Sequence, residues 1–117
     1  SMSAARADTA VLARDAAPLF AALGDATRFR LLVRLAHGGP GSIARLSARS
    51  QVSRQAITKH LEVLSAAGLV RSDRRGRERI WEIEPRRLEE ARRHLDLISR
   101  QWDDALDRLR RFVEGPE

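Results

Sequence analysis

The spacing of apolar residues along this sequence changes at Gly68. Before Gly68 they recur every three or four residues, which is the period of an amphipathic helix. After it, Leu69–Asp73 and Glu78–Ile83 alternate between apolar and polar residues, as strands do. The helical period returns after Pro85 and continues for about two dozen residues. We therefore predict a mainly α protein with one small β-hairpin.

Glycines and capping residues mark the ends of the predicted helices. Gly24 ends the first helix, Asp25 caps the second, and His37–Gly41 is a loop of helix breakers. Ser42 and Ser53 are placed to cap two further helices. The predicted helices are Asp8–Leu23, 26–36, Ile43–Arg49, Ser53–Ala67 and 86–114.

This order of elements is that of a winged helix-turn-helix with one added helix at each end. A length of 117 residues suits a single domain. We expect residues 1–7 to form a disordered tail, in which Ser1-Met2 is a remnant of an expression tag. The domain then covers residues 8–114, with the helix-turn-helix at 42–67, the wing at 69–84 and a C-terminal dimerisation helix at 86–114.

The positive charge is concentrated in one segment. Ser42–Ile80 contains nine basic and three acidic residues, so its net charge of +6 equals that of the whole chain. A bias toward arginine that affected the entire sequence would spread evenly, and this charge does not. A localised basic segment is typical of a surface that faces nucleic-acid phosphates.

The predicted fourth helix has the composition of a DNA-reading helix. An α-helix fits the major groove, and its first turns reach base edges. Arg54 can bind guanine through two hydrogen bonds, and Gln55 can bind adenine in the same way. Each residue also has a plain structural interpretation, as a cap for Ser53, solvated surface, or packing of His60 beside the first helix of the motif. The predicted DNA contacts on this helix are Ser53, Arg54, Gln55, Thr58, Lys59 and His60.

The tip of the hairpin is the second predicted contact. Arg74, Arg75 and Arg77 surround Gly76, which can supply the positive φ of a tight turn. Arginines on such a turn can lie along the DNA backbone or enter a narrow minor groove. The alternative is an ordinary solvated turn.

The apolar stripe on the last helix indicates a homodimer. The stripe of the last helix continues to its end, which is more apolar surface than one small domain leaves exposed. Trp102 has an alternative place in the core of the monomer, and Phe29 of the second helix is expected to be buried there. The residues of the last helix assigned to the dimer interface are Leu95, Ile98, Trp102, Leu109 and Phe112.

Three segments, in this order, resemble the ArsR-type winged-helix repressors. Ala21–Leu32 resembles the entry to that fold, Val52–Val70 its recognition helix and exit, and Arg74–Trp81 its wing. The resemblance implies a homodimeric repressor, commonly of its own operon, that is released by some signal. It also implies that the first and last helices of two chains pack together, which places Leu12 and Leu19 of the first helix at the dimer interface. Two recognition helices related by two-fold symmetry would read an inverted repeat of double-stranded DNA.

The signal is not readable from the sequence. There are no cysteines, so the thiolate metal sites of the founding members of that family are excluded. The last helix has His94 and Asp103 among scattered carboxylates, without a second histidine to complete a zinc site. We therefore predict no metal site and no cofactor.

Other classes of protein fit less well. No glycine-rich phosphate loop, metal triad or plausible Ser-His-Asp set is found, so catalytic residues are not expected. A winged-helix module that binds proteins instead of DNA stays as the alternative, although such modules usually lose the basic residues kept here. No segment is apolar enough to cross a membrane, and with no cysteines and no secretory signal the chain is expected to be cytoplasmic.

Overall fold

Five helices and a three-stranded sheet form the chain. The computed structural model describes residues 2–115, except for the side chains of residues 2–9 and of Leu12. Leu12, assigned above to the dimer interface, thus lies outside the described side chains. The elements are α1 (Met2–Leu23), α2 (Ala26–Gly38), β1 (Gly41–Ser42), α3 (Ile43–Ser47), α4 (Arg54–Ala66), β2 (Val70–Arg75), β3 (Glu78–Ile83) and α5 (Pro85–Glu114).

The predicted caps lie where the sequence places them. The side chain of Asp25 accepts a hydrogen bond from the Arg28 amide, and that of Ser42 accepts one from the Arg45 amide. Ser53 accepts one from the Ala56 amide at 3.1 Å. Each cap satisfies an amide that the first helical turn leaves without a partner, so the helix begins at that residue.

The first helix is longer than predicted. It begins at Met2, so residues 2–7 are helical and the expected disordered tail is wrong for that segment. Between Met2 and Asp8 there is no glycine or proline, and alanine and arginine are good helix formers. Nothing in the sequence between Asp8 and Met2 therefore prevents the helix from beginning at Met2.

The sheet contains a strand that was not predicted. Two residues, Gly41 and Ser42, pair antiparallel with Trp81 and Ile80 of β3, and the strand order is β1-β3-β2. Two residues are too few to show alternation, which is why the sequence indicated only a hairpin. The predicted turn is confirmed, because Gly76 has φ +63° between β2 and β3.

The core lies where the inner faces of α1, α2 and α4 meet the sheet. Five side chains are fully buried: Leu19, Ile57, Leu61, Leu64 and Leu69. Trp81 of β3 and Ala91 of α5 extend this cluster. Leu19 therefore packs inside its own domain, and its assignment to the dimer interface is wrong. It shares its side of α1 with Ala16 and Ala22, at three-residue spacing, and that side faces the core.

Two aromatic residues are more exposed than one reading of the sequence allowed. Phe29 is 53% exposed, so its predicted burial is wrong. It lies roughly 110° around the axis of α2 from the centre of the buried face formed by Leu31, Leu32 and Leu35. Trp102 is 65% exposed, so it does not belong to the core of the monomer.

The last helix gives the molecule an elongated shape. α5 has 30 residues and is about 45 Å long at the usual helical rise. The principal extents of the chain are 70, 28 and 20 Å. α1 packs against α5, whose only buried residue is Ala91 near its start, so the rest of α5 extends away from the core. Within residues 2–115, no helix has both the length and the apolar composition needed to cross a lipid bilayer.

Candidate nucleic-acid interface

α4 presents one buried and one exposed face. Ile57, Leu61 and Leu64 fix the helix to the core. Arg54, Gln55 and Lys59, three of the predicted contacts, are exposed together near its N-terminus. This end of the helix is therefore free to enter a groove, with its back held by the domain.

The C-terminal end of α4 is closed by a Schellman motif. Gly68 has φ +79°, its amide donates to the Ser65 carbonyl at 2.9 Å, and the Leu69 amide donates to the Leu64 carbonyl at 2.9 Å. Leu69 then enters the core and starts the wing. The orientation of the wing relative to α4 is thus set by a short, fully hydrogen-bonded connection.

Two predicted contacts on α4 already have partners within the protein. The hydroxyl of Thr58 donates to the Arg54 carbonyl at 2.9 Å, so it is left as an acceptor. His60 is half-buried, with Nδ1 at 3.9 Å from a carboxylate oxygen of Asp25 and 3.5 Å from a guanidinium nitrogen of Arg28. His60 therefore packs against the start of α2 and not beside α3. Its contact with DNA stays a prediction, as do those of Ser53, Arg54, Gln55, Thr58 and Lys59.

Arg28 has a role that the sequence did not indicate. Its Nε donates to the Ala22 carbonyl at 2.6 Å and its Nη2 to the Ala21 carbonyl at 3.4 Å. It therefore joins the end of α1 to the start of α2, next to His60 of α4. The contact with His60 joins residues 32 positions apart, so it has no local sequence signal.

The carboxylate of Asp25 is stabilised in its charged form. The Arg28 amide, which donates to it at 3.0 Å, is the main reason that the pKa of Asp25 lies below its usual value. The charges of Arg28 and His60 act in the same direction, and partial desolvation opposes them.

We expect Asp25→Ala to lower the thermal midpoint near neutral pH and to have less effect in acid. Because the folded-state pKa is depressed, the stability from Asp25 is present above its ordinary pKa and is lost as the pH falls through the lowered value. Thermal unfolding of both proteins over a pH series checks this. A difference in midpoint that grows toward acid would contradict it.

The wing presents three arginines at its tip. Arg74, Arg75 and Arg77 are exposed, and the structure shows no ion pair for them among the described residues. Arg71, by contrast, pairs with Glu82 at 2.9 Å and Glu84 at 2.7 Å, so it braces the base of the wing. The basic residues of the wing thus divide into a braced base and an unpaired tip.

Metal ligands do not assemble in the described part of the chain. No group of three or more His, Cys, Asp or Glu side chains there is placed to hold a metal ion. The start of α4 and the tip of the wing instead carry exposed basic residues, which suit nucleic acid.

Comparison with known proteins agrees with this geometry. A model of the helix-turn-helix domain matches residues 23–73. The HTH-type transcriptional regulator Rv2034 of Mycobacterium tuberculosis is 37% identical over 94 residues, which cover 80% of this chain and 84% of that protein. The solved structure of an ArsR-like transcriptional regulator from Rhodococcus sp. RHA1 is 38% identical, covers 88% of this chain and 96% of its own, and has a TM-score of 0.76. The chain belongs to the ArsR family of winged helix-turn-helix regulators.

The predicted fold and the general function are therefore confirmed. This ArsR-family chain is a DNA-binding transcriptional regulator with a winged helix-turn-helix. A homodimeric winged helix-turn-helix domain from Mycobacterium bovis, 23% identical with a TM-score of 0.60 over 81% of this chain and 84% of its own, shares the fold.

Proposed function

We propose that this ArsR-family regulator is a homodimer that represses its own promoter by binding an inverted repeat of DNA. The observation that carries the proposal is the exposed apolar stripe of α5. It lies at helical spacing on one side of the helix, and its residues include Leu95, Ile98, Trp102, Leu109 and Phe112. A second copy of the same chain is proposed to pack on this stripe and bury it.

The shape of the chain supports this assembly. Its radius of gyration is 19.4 Å, whereas a compact domain of this length has one of about 13 Å. The second half of α5 has no buried residue, so it has little of its own domain to pack against. Two such helices, packed in a two-fold dimer, would bury both stripes at once.

A two-fold dimer also specifies the form of the operator. The two α4 helices would enter successive major grooves about 34–36 Å apart, on the same side of the duplex. Each half-site would be read by Arg54 and Gln55, with Ser53, Thr58, Lys59 and His60 beside them. Arg74, Arg75 and Arg77 of each wing would contact the flanking backbone or minor groove. The protein is proposed to act in the cytoplasm, where this DNA is found.

Binding to DNA from its own upstream region tests the proposal. We expect the dimer to bind one inverted repeat at least about 1,000-fold more tightly than scrambled DNA of equal length at physiological salt. Fluorescence polarisation with both duplexes over a salt series provides the measurement. Equal affinity for both would favour the alternative, a module that does not read DNA sequence.

Arg54→Ala and Arg75→Ala should weaken DNA binding in different ways. Because Arg54→Ala removes a two-pronged contact with guanine, its free energy of binding to the operator should be weaker by about 1–3 kcal/mol, with little change on scrambled DNA. Arg75→Ala should weaken binding to both duplexes and lower the salt slope by about 1. Polarisation titrations of both variants against both duplexes distinguish the roles. If both variants lost affinity equally on both duplexes, Arg54 would be a phosphate contact and not a base contact.

A further inference from the structure

A groove of about 390 Å³ lies between α2 and the turn that leads into α4. We propose that it holds one phosphate of the DNA backbone beside the bases that α4 reads. This inference rests on the proposed function, and it adds a contact that neither α4 nor the wing provides. The polar residues that line the groove are Thr27, Arg30, Arg34, Arg49, Ser50 and Gln51.

The charge of the groove is entirely positive. Three arginines line it, Arg30, Arg34 and Arg49, and no aspartate or glutamate does. Among the described side chains, the structure shows no ion pair for Arg30 or Arg49. The larger groove between α1 and α5 differs, because Asp15 and Glu90 lie among its arginines. Cations that converge without a counter-charge attract an anion.

One of the three guanidiniums is already held in place. Arg34 donates from Nη1 to the Leu46 carbonyl and from Nη2 to the Arg45 carbonyl, at the end of α3. These bonds hold the Arg34 side chain in place before any ligand arrives. Arg30 and Arg49 are then free to close on a phosphate through charge-assisted hydrogen bonds.

Arg49 adopts a backbone conformation that its side chain disfavours. Its φ is +68°, and among the described residues it is the only one other than glycine with a positive φ. It follows the end of α3, a place where glycine usually supplies this conformation. The turn is closed by a backbone bond, from the Ser50 amide to the Ser47 carbonyl at 3.0 Å, which does not need an arginine side chain. Strain of this kind at a charged residue points to a function for the charge.

The groove is also close enough to the reading end of α4. Gln51 is three residues before Arg54, so their Cα atoms are separated by at most about 11 Å. A helix about 10–12 Å wide fills a major groove about 12 Å wide, which places the phosphate backbone along its flanks. The groove beside the start of α4 therefore lies where one strand of bound DNA would pass.

Two variants test the proposed contact, Arg30→Gln and Arg49→Gly. Each should weaken binding to operator and to scrambled DNA equally, by roughly three- to tenfold, and should lower the salt slope by about 1. Arg49→Gly should also leave the thermal midpoint unchanged or raise it, because glycine relieves the strain. A merely structural role for Arg49 predicts the opposite, a lower midpoint.

Arg92→Gln is the matched control. Its side chain is 73% exposed, and it lines a different groove, near Leu35 and Pro40 at the other end of α2. The Arg92→Gln variant loses one positive charge, as Arg30→Gln does, but far from the proposed phosphate. Its DNA affinity should therefore differ from that of wild type by less than twofold. Polarisation titrations and thermal unfolding of all three variants complete the set.

The possible results separate this inference from the proposed function. If wild type binds the operator and Arg30→Gln and Arg49→Gly bind it as well as wild type does, the groove is not a contact. If wild type shows no preference for the operator, the proposed function itself fails. Inorganic phosphate, titrated in NMR experiments, tests a free anion as the occupant. Saturation of the Thr27 and Ser50 amide shifts below about 1 mM would assign the groove to a small phosphate ligand and overturn the assignment to DNA.

Discussion

Trp102→Glu combined with Phe112→Glu should yield a monomer that binds the operator at least about 100-fold more weakly than wild type. The two side chains are 65% and 85% exposed in the single chain, so the described part of the chain leaves them largely uncovered. Burying each aromatic side chain contributes roughly 1.5–3 kcal/mol, and a two-fold interface contains each of them twice. A monomer holds only one half-site and loses the gain from binding both halves together. Sedimentation equilibrium and polarisation titrations measure the two effects.

Arg111→Glu is the control for the introduced charge. Arg111 lies on α5 roughly opposite the stripe, at about 160° around the helix axis. The Arg111→Glu variant should stay dimeric and bind DNA with an affinity within a fewfold of that of wild type. The new carboxylate near the C-terminus of α5 should lower helix stability only slightly. Helical circular dichroism should be the same for all three proteins, since the altered side chains are exposed in the monomer. If the double variant remained a dimer with normal affinity, the stripe on α5 would not be the interface.

Leu61→Ala should destabilise the domain by about 2–5 kcal/mol, the largest stability effect that we expect from one truncated side chain. Leu61 is fully buried on α4, which packs against α1, α2, α3 and β2, so removing it leaves a cavity that few neighbours can fill. The same helix presents the DNA-reading residues on its exposed face, so their position depends on the buried face that holds Leu61. Chemical denaturation at a fixed protein concentration measures the loss, because dimer stability depends on concentration.

Val63→Ala provides the comparison on the same helix. Val63 is exposed, so its truncation should change the free energy of unfolding by less than about 0.5 kcal/mol. If Leu61→Ala lowered the free energy of unfolding by less than about 1 kcal/mol, the core would be able to collapse around the missing side chain. The role of α4 as the centre of the core would then be wrong.

The helix-turn-helix itself was predictable because its signals are local. Ser53 begins α4 and Gly68 follows its end through bonds to residues only three to five positions away. The buried positions Ile57, Leu61 and Leu64 follow the helical period. Gly76 turns the hairpin for an equally local reason, since its φ of +63° suits glycine. These residues position the start of α4 and the wing, so most of the candidate site followed from the sequence.

Other features depend on contacts between distant parts of the chain. β1 exists because Gly41 and Ser42 meet Trp81 and Ile80, nearly forty residues later. His60 was predicted as a DNA contact, with packing beside the first helix of the motif as the alternative, and the structure places it against Asp25 and Arg28 at the start of α2. Periodicity marks an apolar face, but it does not say whether that face meets the core or a partner. Leu19 and Trp102 both belong to apolar stripes, yet one is fully buried and the other is 65% exposed.

The sequence by itself determined the helix limits marked by caps, the DNA-reading motif, the hairpin turn and the basic segment, because capping, periodicity and charge act over a few residues. Tertiary structure determined the short third strand, the direction of each apolar face, the partners of His60 and the groove that joins Arg30 to Arg49. These depend on which elements pack together, and that is decided by the summed burial of the core and not by any single segment.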